Sequence, residues 1–351
     1  MTRALLLLLA AAVCSAADLT HATIVTSGIL TTPERKAVFL LADSVRERTR
    51  IAWPVMNADP GDGGPVIRIA QAPPGATRLP AEGYRLRSFD GGVEITGNDE
   101  RGILFGVGGL LRALEMRRDS VILPRPLDIR TAPKYPLRGH QLGYRPKTNS
   151  YDGWDVPDWE RYIRDLAVFG ANAIELIPPR SDDAPDSPHF PLPQMQMMIE
   201  MSRLAKEYGL QCWIWYPAMD RDYADSAIVD AALREWAEVF RQLPRIDAVF
   251  VPGGDPGHTQ PKHLMALLEK QTANLRKYHP DATMWLSPQG FSATWMEEFF
   301  GLMDQHPAWL TGVVFGPQVR MNLPELRQRI PPHPPRQLPH RRMPPRTTDA
   351  R

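Results

Sequence analysis

Ile246-Asp-Ala-Val-Phe-Val-Pro-Gly-Gly-Asp255-Pro-Gly-His258 is the stretch from which the fold is read. It opens as a short apolar run with β-branched residues, the pattern of a strand buried on both faces. It ends in Gly253-Gly254-Asp255, where the chain turns sharply and no side chain blocks a ligand's approach. Residues 260–278 follow with helical spacing, Leu264, Leu267, Leu268 and Leu275 sharing one side. Strand, glycine turn with a carboxylate, then helix make a βα unit. In barrels of such units the loop after the strand carries the chemistry. Asp255 is therefore the leading candidate for a ligand-facing acid; the competing assignment is a turn or helix-cap aspartate.

The same alternation runs in both directions from this unit. Strands are predicted at 137–143, 171–177, 210–216, 246–252, 283–287 and 310–315. Helices are predicted between and after them at 157–169, 193–208, 226–243, 260–278, 294–303 and 323–330. No glycine-rich phosphate turn follows the first of these strands, which argues against a nucleotide-binding sheet. A complete (β/α)8 TIM barrel needs eight units and about six are found, so residues 129–330 are expected to form an incomplete barrel. Residues 331–351 are rich in Pro and Arg and poor in apolar side chains, the composition of a disordered tail. Such an ending reads as a frameshifted or truncated gene, or as a natural basic tail on a six-unit open sheet.

Residues 18–128 follow another pattern, a small α/β domain of mixed strands and helices. Strands are expected at 22–26, 65–70, 84–89 and 92–97, the last two joined by Asp90-Gly91, a hairpin dipeptide. Helices are expected at 33–49 and 100–116, the second capped by Asp99. Gly102, Gly106, Gly108 and Gly109 would each cost about 1 kcal/mol in an exposed helix. They make sense where a helix backbone lies close against a sheet. Pro124, Pro126, Pro133 and Pro136 then punctuate an aperiodic linker.

Composition narrows the function classes. The formal charge of +1 over 351 residues predicts neither a nucleic-acid nor a membrane-surface partner. Residues 1–17 read as a secretory signal: Arg3, an apolar run from Ala4 to Val13, then Ser15-Ala16-Ala17. Its removal leaves Cys212 as the one cysteine, and export without an intrachain disulfide fits a secreted or periplasmic bacterial protein. The histidines are scattered and Cys212 lies in a predicted strand, so no metal site is expected. Gly-x-Ser-x-Gly is absent, and no cofactor is implied.

Gly83-Tyr-Arg-Leu, Gly92-Val-Glu-Ile-Thr-Gly-Asn-Asp-Glu-Arg-Gly102-Ile-Leu-Phe-Gly106 and Leu110-Leu111-Arg112 resemble the non-catalytic domain (hexosaminidase domain 2) of family-20 β-hexosaminidases and family-67 α-glucuronidases. Arg138-Gly139 resembles the pair that opens the first barrel strand of family-20 enzymes, where the arginine holds sugar hydroxyls. Gly253-Gly254-Asp255 resembles the family's Gly-Gly-Asp-Glu, in which the aspartate orients the substrate acetamido group and the glutamate is the general acid. Pro256 stands at the glutamate position, and proline cannot transfer a proton.

The resemblance implies a carbohydrate substrate, with Asp255 and Arg138 converging at the barrel mouth. His258 is a candidate proton donor or sugar ligand. Glycoside hydrolysis uses two carboxyl groups across the scissile bond, and Glu175 and Asp220 are the other acids near strand ends. Glu175, in an apolar run, points into a polar site or pairs with Arg138 as structural glue. Trp213 and Trp215 share one strand face and Tyr216 takes the other; Trp215, Tyr216 and Trp285 are candidates for stacking on sugar, and all have core packing as the alternative. His140 and Tyr144 are candidate lining residues. The expected function is an exported hydrolase of O-glycosidic bonds in oligo- or polysaccharides, α-glucuronidase-like or hexosaminidase-like. The alternatives are a catalytically inactive sugar-binding relative and a truncated, non-functional product.

Overall fold

The computed structural model describes residues 16–73, 79–147 and 151–330. The expectations for residues 1–15 of the signal segment and for the tail at 331–351 lie outside them. The chain forms two compact units. The first comprises Met1–Gly139, Arg161–Asn172 and Glu207–Leu210; the second comprises His140–Glu160, Ala173–Lys206 and Gln211–Arg351.

The amino-terminal elements are β1 (Ala17–Asp18), β2 (Thr23–Thr26), α1 (Thr32–Thr49), β3 (Val55–Met56), β4 (Val66–Gln71), β5 (Tyr84–Phe89), β6 (Gly92–Gly97), α2 (Glu100–Ala113), β7 (Glu115–Arg117), β8 (Ser120–Leu123) and β9 (Asp128–Thr131). A six-stranded sheet has the order β3-β2-β4-β6-β5-β9, and β1-β8-β7 make a small second sheet. Helix α1 begins at a capping box, Thr31 N donating to Glu34 Oε2 at 2.7 Å and Glu34 N to Thr31 Oγ1 at 3.4 Å. Asp99 caps α2 as expected, Oδ1 accepting from Gly102 N at 2.8 Å. The glycines of α2 bring its backbone against neighbouring strands and loops. A Cβ on Gly102 would lie 2.3 Å from Gly83 O, and one on Gly106 2.6 Å from the Ile95 side chain.

Two expectations for this region are corrected. The helix predicted to reach 116 stops at Ala113, because Glu115–Arg117 pairs antiparallel with β8. The proline-punctuated linker is not aperiodic throughout, since Asp128–Thr131 pairs antiparallel with β5 as an edge strand. Pro124, Pro126 and Pro133 flank it, and proline without an N–H is tolerated beside an edge strand.

The remaining elements are β10 (Gly139–Leu142), α3 (Val156–Val168), β11 (Ala173–Leu176), α4 (Gln194–Glu207), β12 (Gln211–Trp215), α5 (Ser226–Gln242), β13 (Ala248–Val251), α6 (Pro261–Tyr278), β14 (Thr283–Leu286), α7 (Ala293–Met303), β15 (Leu310–Val313) and α8 (Leu323–Arg329). The sheet runs β10-β11-β12-β13-β14-β15 in sequence order, and β11 to β15 are parallel. This is a partial TIM barrel of six strands with their helices.

Its two faces differ. Ile174, Cys212, Ile214, Val249, Val251, Met284 and Leu286 are fully buried. Tyr216 continues this side and stacks on Trp236 of α5 with ring centroids 3.8 Å apart, which identifies it as the helix side. The opposite face carries Glu175, Trp213, Trp215, Phe250 and Trp285, each only partly covered. Strand β13 is buried on both faces as its apolar run predicts, except at Phe250, which is partly covered.

Candidate functional site

The loops after β13, β14 and β15 meet at the carboxyl end of the sheet. Gly253, at φ 68°, turns the chain out of β13 in a conformation that side chains seldom adopt, and a Cβ there would lie 2.2 Å from Ser287 O. Gly254 N donates to Gln289 O at 2.9 Å. Beyond this turn the Asp255 carboxylate accepts from Gln289 Nε2 at 2.8 Å and from Gln318 Nε2 at 3.3 Å. Both donors fall on Oδ2, and no described residue donates to Oδ1. Helix α6 takes Gln260 as its N-cap, without a side-chain cap bond. Asp255 is therefore no helix-cap residue: its carboxylate is aimed by two carboxamides.

His258 follows in the same loop. It is exposed, has φ 57°, and donates its N–H to Gly254 O at 2.8 Å. Its ring lies 4.7 Å from that of Trp295, near the start of α7. Gly257 packs on the loop after β12, where a Cβ would lie 2.0 Å from Ala218 O.

Asp220, in that neighbouring loop, is engaged elsewhere. Arg180 grips it through two bonds of 2.6 and 3.2 Å, and the Tyr223 hydroxyl donates to it at 3.2 Å. The bonds from Arg180 hold its carboxyl below the usual carboxylate range. Arg180 also reaches Glu235 at 2.7 Å. Asp220 thereby ties the loops after β11 and β12 together.

Glu175 lies on the open sheet face, where Gln141 Nε2 donates to it at 2.9 Å. Burial raises its pKa to about 7, against the lowering effect of that bond. Its expected alternative partner, Arg138, is not the one it has. Glu175 pairs in register with Trp213, Trp213 with Ala248, and Ala248 with Thr283. That rung is three residues before the end of β13, about 10 Å along the strand. Glu175 is itself one residue before the end of its own strand, β11.

Arg138 belongs to the first unit. It precedes β10, whereas Asp255 follows the carboxyl end of β13. All three guanidinium nitrogens of Arg138 have partners within the first unit: Gly170 O at 2.7 Å, Tyr135 O at 2.6 Å and Glu82 Oε2 at 2.5 Å. Glu82 is a buried carboxylate, and binding it engages the fork that the resemblance assigns to sugar hydroxyls. Tyr144 is a buried pin, its hydroxyl donating to Leu192 O at 2.6 Å and accepting from Leu192 N at 3.2 Å. Tyr216 belongs to the core. His140 is exposed on β10.

Trp215 stays on the open face, with the Arg145 guanidinium 5.8 Å from its ring centre. Arg145 in turn faces Asp182 and Asp183 at 3.4 and 3.6 Å, and Lys147 reaches Asp182 at 2.6 Å. Gln289, Gln318 and Arg145 are polar residues of this edge that reasoning from the sequence did not select. Gln289 was the most accessible of them, since Pro288-Gln289-Gly290 ends a strand just as Gly253-Gly254-Asp255 does. Among the described residues no group of three or more His, Cys, Asp or Glu side chains is disposed to hold a metal ion. None of their helices is long and apolar enough to cross a membrane.

No family model matches the chain, and no curated protein matches it in sequence. Solved structures do match in fold. A GH20 β-N-acetylhexosaminidase from Streptomyces coelicolor aligns with TM-score 0.61 at 16% identity, over 84% of this chain and 70% of that one. A Streptomyces plicatus β-hexosaminidase in complex with product (GlcNAc) aligns with TM-score 0.62 at 18% identity, over 86% and 71%. A GH138 enzyme targeting pectin rhamnogalacturonan II aligns with TM-score 0.60 at 14% identity, over 83% and 47%. The chain thus has a glycoside-hydrolase fold of the kind seen in GH20 β-hexosaminidases.

Proposed function

We propose that the chain is a carbohydrate-active protein whose ligand, part of an oligo- or polysaccharide, is oriented by Asp255, and whose reaction is hydrolysis of an O-glycosidic bond. The observation that carries this reading is the Asp255 carboxylate at the end of a parallel strand, with Oδ2 held by two carboxamides and Oδ1 left to accept. An acceptor in that place suits a hydroxyl or amide N–H of a sugar better than a uronate carboxylate. Of the two expected substrate types, this favours the hexosaminidase-like one over the α-glucuronidase-like one. Export belongs to the same reading, supported by the apolar run of residues 4–13 and the small residues after it.

Binding without turnover is the second reading. Pro256 removes the proton donor beside Asp255, and Glu175 stands on another strand with Gln141 as its hydrogen-bond partner. One experiment separates the readings. The wild type and Asp255→Asn are tested for hydrolysis of p-nitrophenyl N-acetyl-β-D-glucosaminide and p-nitrophenyl α-D-glucuronide, and for binding of the free sugars by calorimetry. Turnover lost in Asp255→Asn supports the hydrolase; binding without turnover, weakened by the same change, supports the second reading. Sugar affinity that is unchanged in the variant while its thermal midpoint falls removes Asp255 from the site.

A further inference from the structure

We infer that Gln289 is the positioning residue for Asp255: it determines where the free oxygen of that carboxylate points, and its effect on sugar binding acts through Asp255 alone. The inference rests on the reading of Asp255 as the ligand-orienting acid.

Gln289 is 6% exposed, so its polar side chain is buried and its bonds are made inside the protein. Its Nε2 donates to Asp255 Oδ2 at 2.8 Å, and its main-chain oxygen accepts from Gly254 N at 2.9 Å. One residue on β14's exit loop therefore holds both the turn that carries Asp255 and the carboxylate itself. Two glycines make room for it. A Cβ on Gly316, in the loop after β15, would lie 2.4 Å from Gln289 Oε1 and 2.9 Å from Ser287 Oγ. A Cβ on Gly253 would lie 3.0 Å or less from the main chain of Gln289. Gly316 thus comes close to the side-chain amide and Gly253 to the main chain of the same residue, so both ends of Gln289 are confined by neighbouring loops.

Gln318 adds a longer bond to the same oxygen from an exposed position, so it can be lost with less effect. Without the Gln289 bond the Asp255 side chain regains rotation about Cα–Cβ and Cβ–Cγ, and Oδ1 is no longer aimed. A carboxamide that served only to pack the loops would instead act on folding, whatever residue stood at 255.

A double-mutant cycle tests this. The wild type, Asp255→Asn, Gln289→Leu and the double variant are titrated calorimetrically with N-acetyl-D-glucosamine and with D-glucuronic acid. The tighter-binding sugar is carried through the cycle, and thermal midpoints are recorded alongside. The expected result is a five- to tenfold loss of affinity in Gln289→Leu, at least tenfold in Asp255→Asn, and no further loss in the double variant. If Gln289→Leu does not fold, Gln289→Asn, which keeps the amide but withdraws it by one methylene, takes its place in the cycle. Wild-type affinity in the Gln289 variant overturns the inference, and so does a double variant whose loss is the product of the two single losses; either leaves the reading of Asp255 standing. Failure of both sugars to bind the wild type overturns that reading and the inference with it.

Discussion

The guanidinium of Arg138 closes on the buried carboxylate of Glu82 at 2.5 Å, and Asn172 Nδ2 reaches the same carboxylate at 2.9 and 3.1 Å. Arg101 completes the group at 3.1 Å. Glu82 comes from the amino-terminal sheet region, Arg138 from the segment before β10 and Asn172 from the segment before β11, so one carboxylate joins three distant parts of the first unit.

This arrangement predicts that Arg138→Ala destabilises the protein by about 2–3 kcal/mol, because a buried carboxylate loses its best partner while Arg101 and Asn172 remain. Sugar affinity should stay at the wild-type value. Thermal or urea melts combined with a calorimetric sugar titration check both halves. A loss of sugar affinity without a loss of stability would restore Arg138 to the site.

Glu175 predicts a pH dependence of stability. Its carboxyl is raised from 4.5 in the unfolded chain to about 7 in the folded one. Between these values the folded state binds the proton more tightly, so stability falls as pH rises from about 4.5 to about 7 and is flat outside that window. The drop is on the order of 3 kcal/mol, about 2.5 pH units at about 1.4 kcal/mol each. Glu175→Gln should abolish this component, making the variant more stable than the wild type at pH 8 and about equal to it at pH 4. Urea midpoints across this pH range measure it; identical profiles for the two proteins would contradict the burial of Glu175.

Gly102→Ala should weaken the packing of α2, since the new methyl group would lie 2.3 Å from the main-chain oxygen of Gly83, which cannot rotate away. Overpacking of this kind costs about 1–3 kcal/mol, outweighing the gain in helix propensity of about 1 kcal/mol. Gly301→Ala, with nothing within 4 Å of its Cβ, is the control and should be neutral or stabilising. Comparing the two melts isolates close approach from propensity.

Much of the architecture was legible in residue order. The βα alternation, the Asp90-Gly91 hairpin and the Asp99 cap depend on local turn chemistry and hydrophobic period, and each is found where those signals stand. The six barrel strands were countable for the same reason. Strands β1, β3, β7, β8 and edge strand β9 were not visible, because two to four residues hold too little periodicity to stand out from a neighbouring helix, loop or prolines.

The site divides along the same line. That Asp255 ends a strand after two glycines is a property of the chain alone, and so is the proline that follows it. Whether a charged side chain has a hydrogen-bonding capacity left for a ligand is not, since that depends on partners distant in sequence. Arg138 is claimed by Glu82, 56 residues away, and Asp220 by Arg180, 40 residues away, whereas Asp255 meets Gln289, 34 residues on, and keeps one oxygen to which no described residue donates. Sequence determined which groups stand at strand ends; tertiary packing decided which of them are already satisfied, because burial obliges each charge to find its partner wherever the fold brings one.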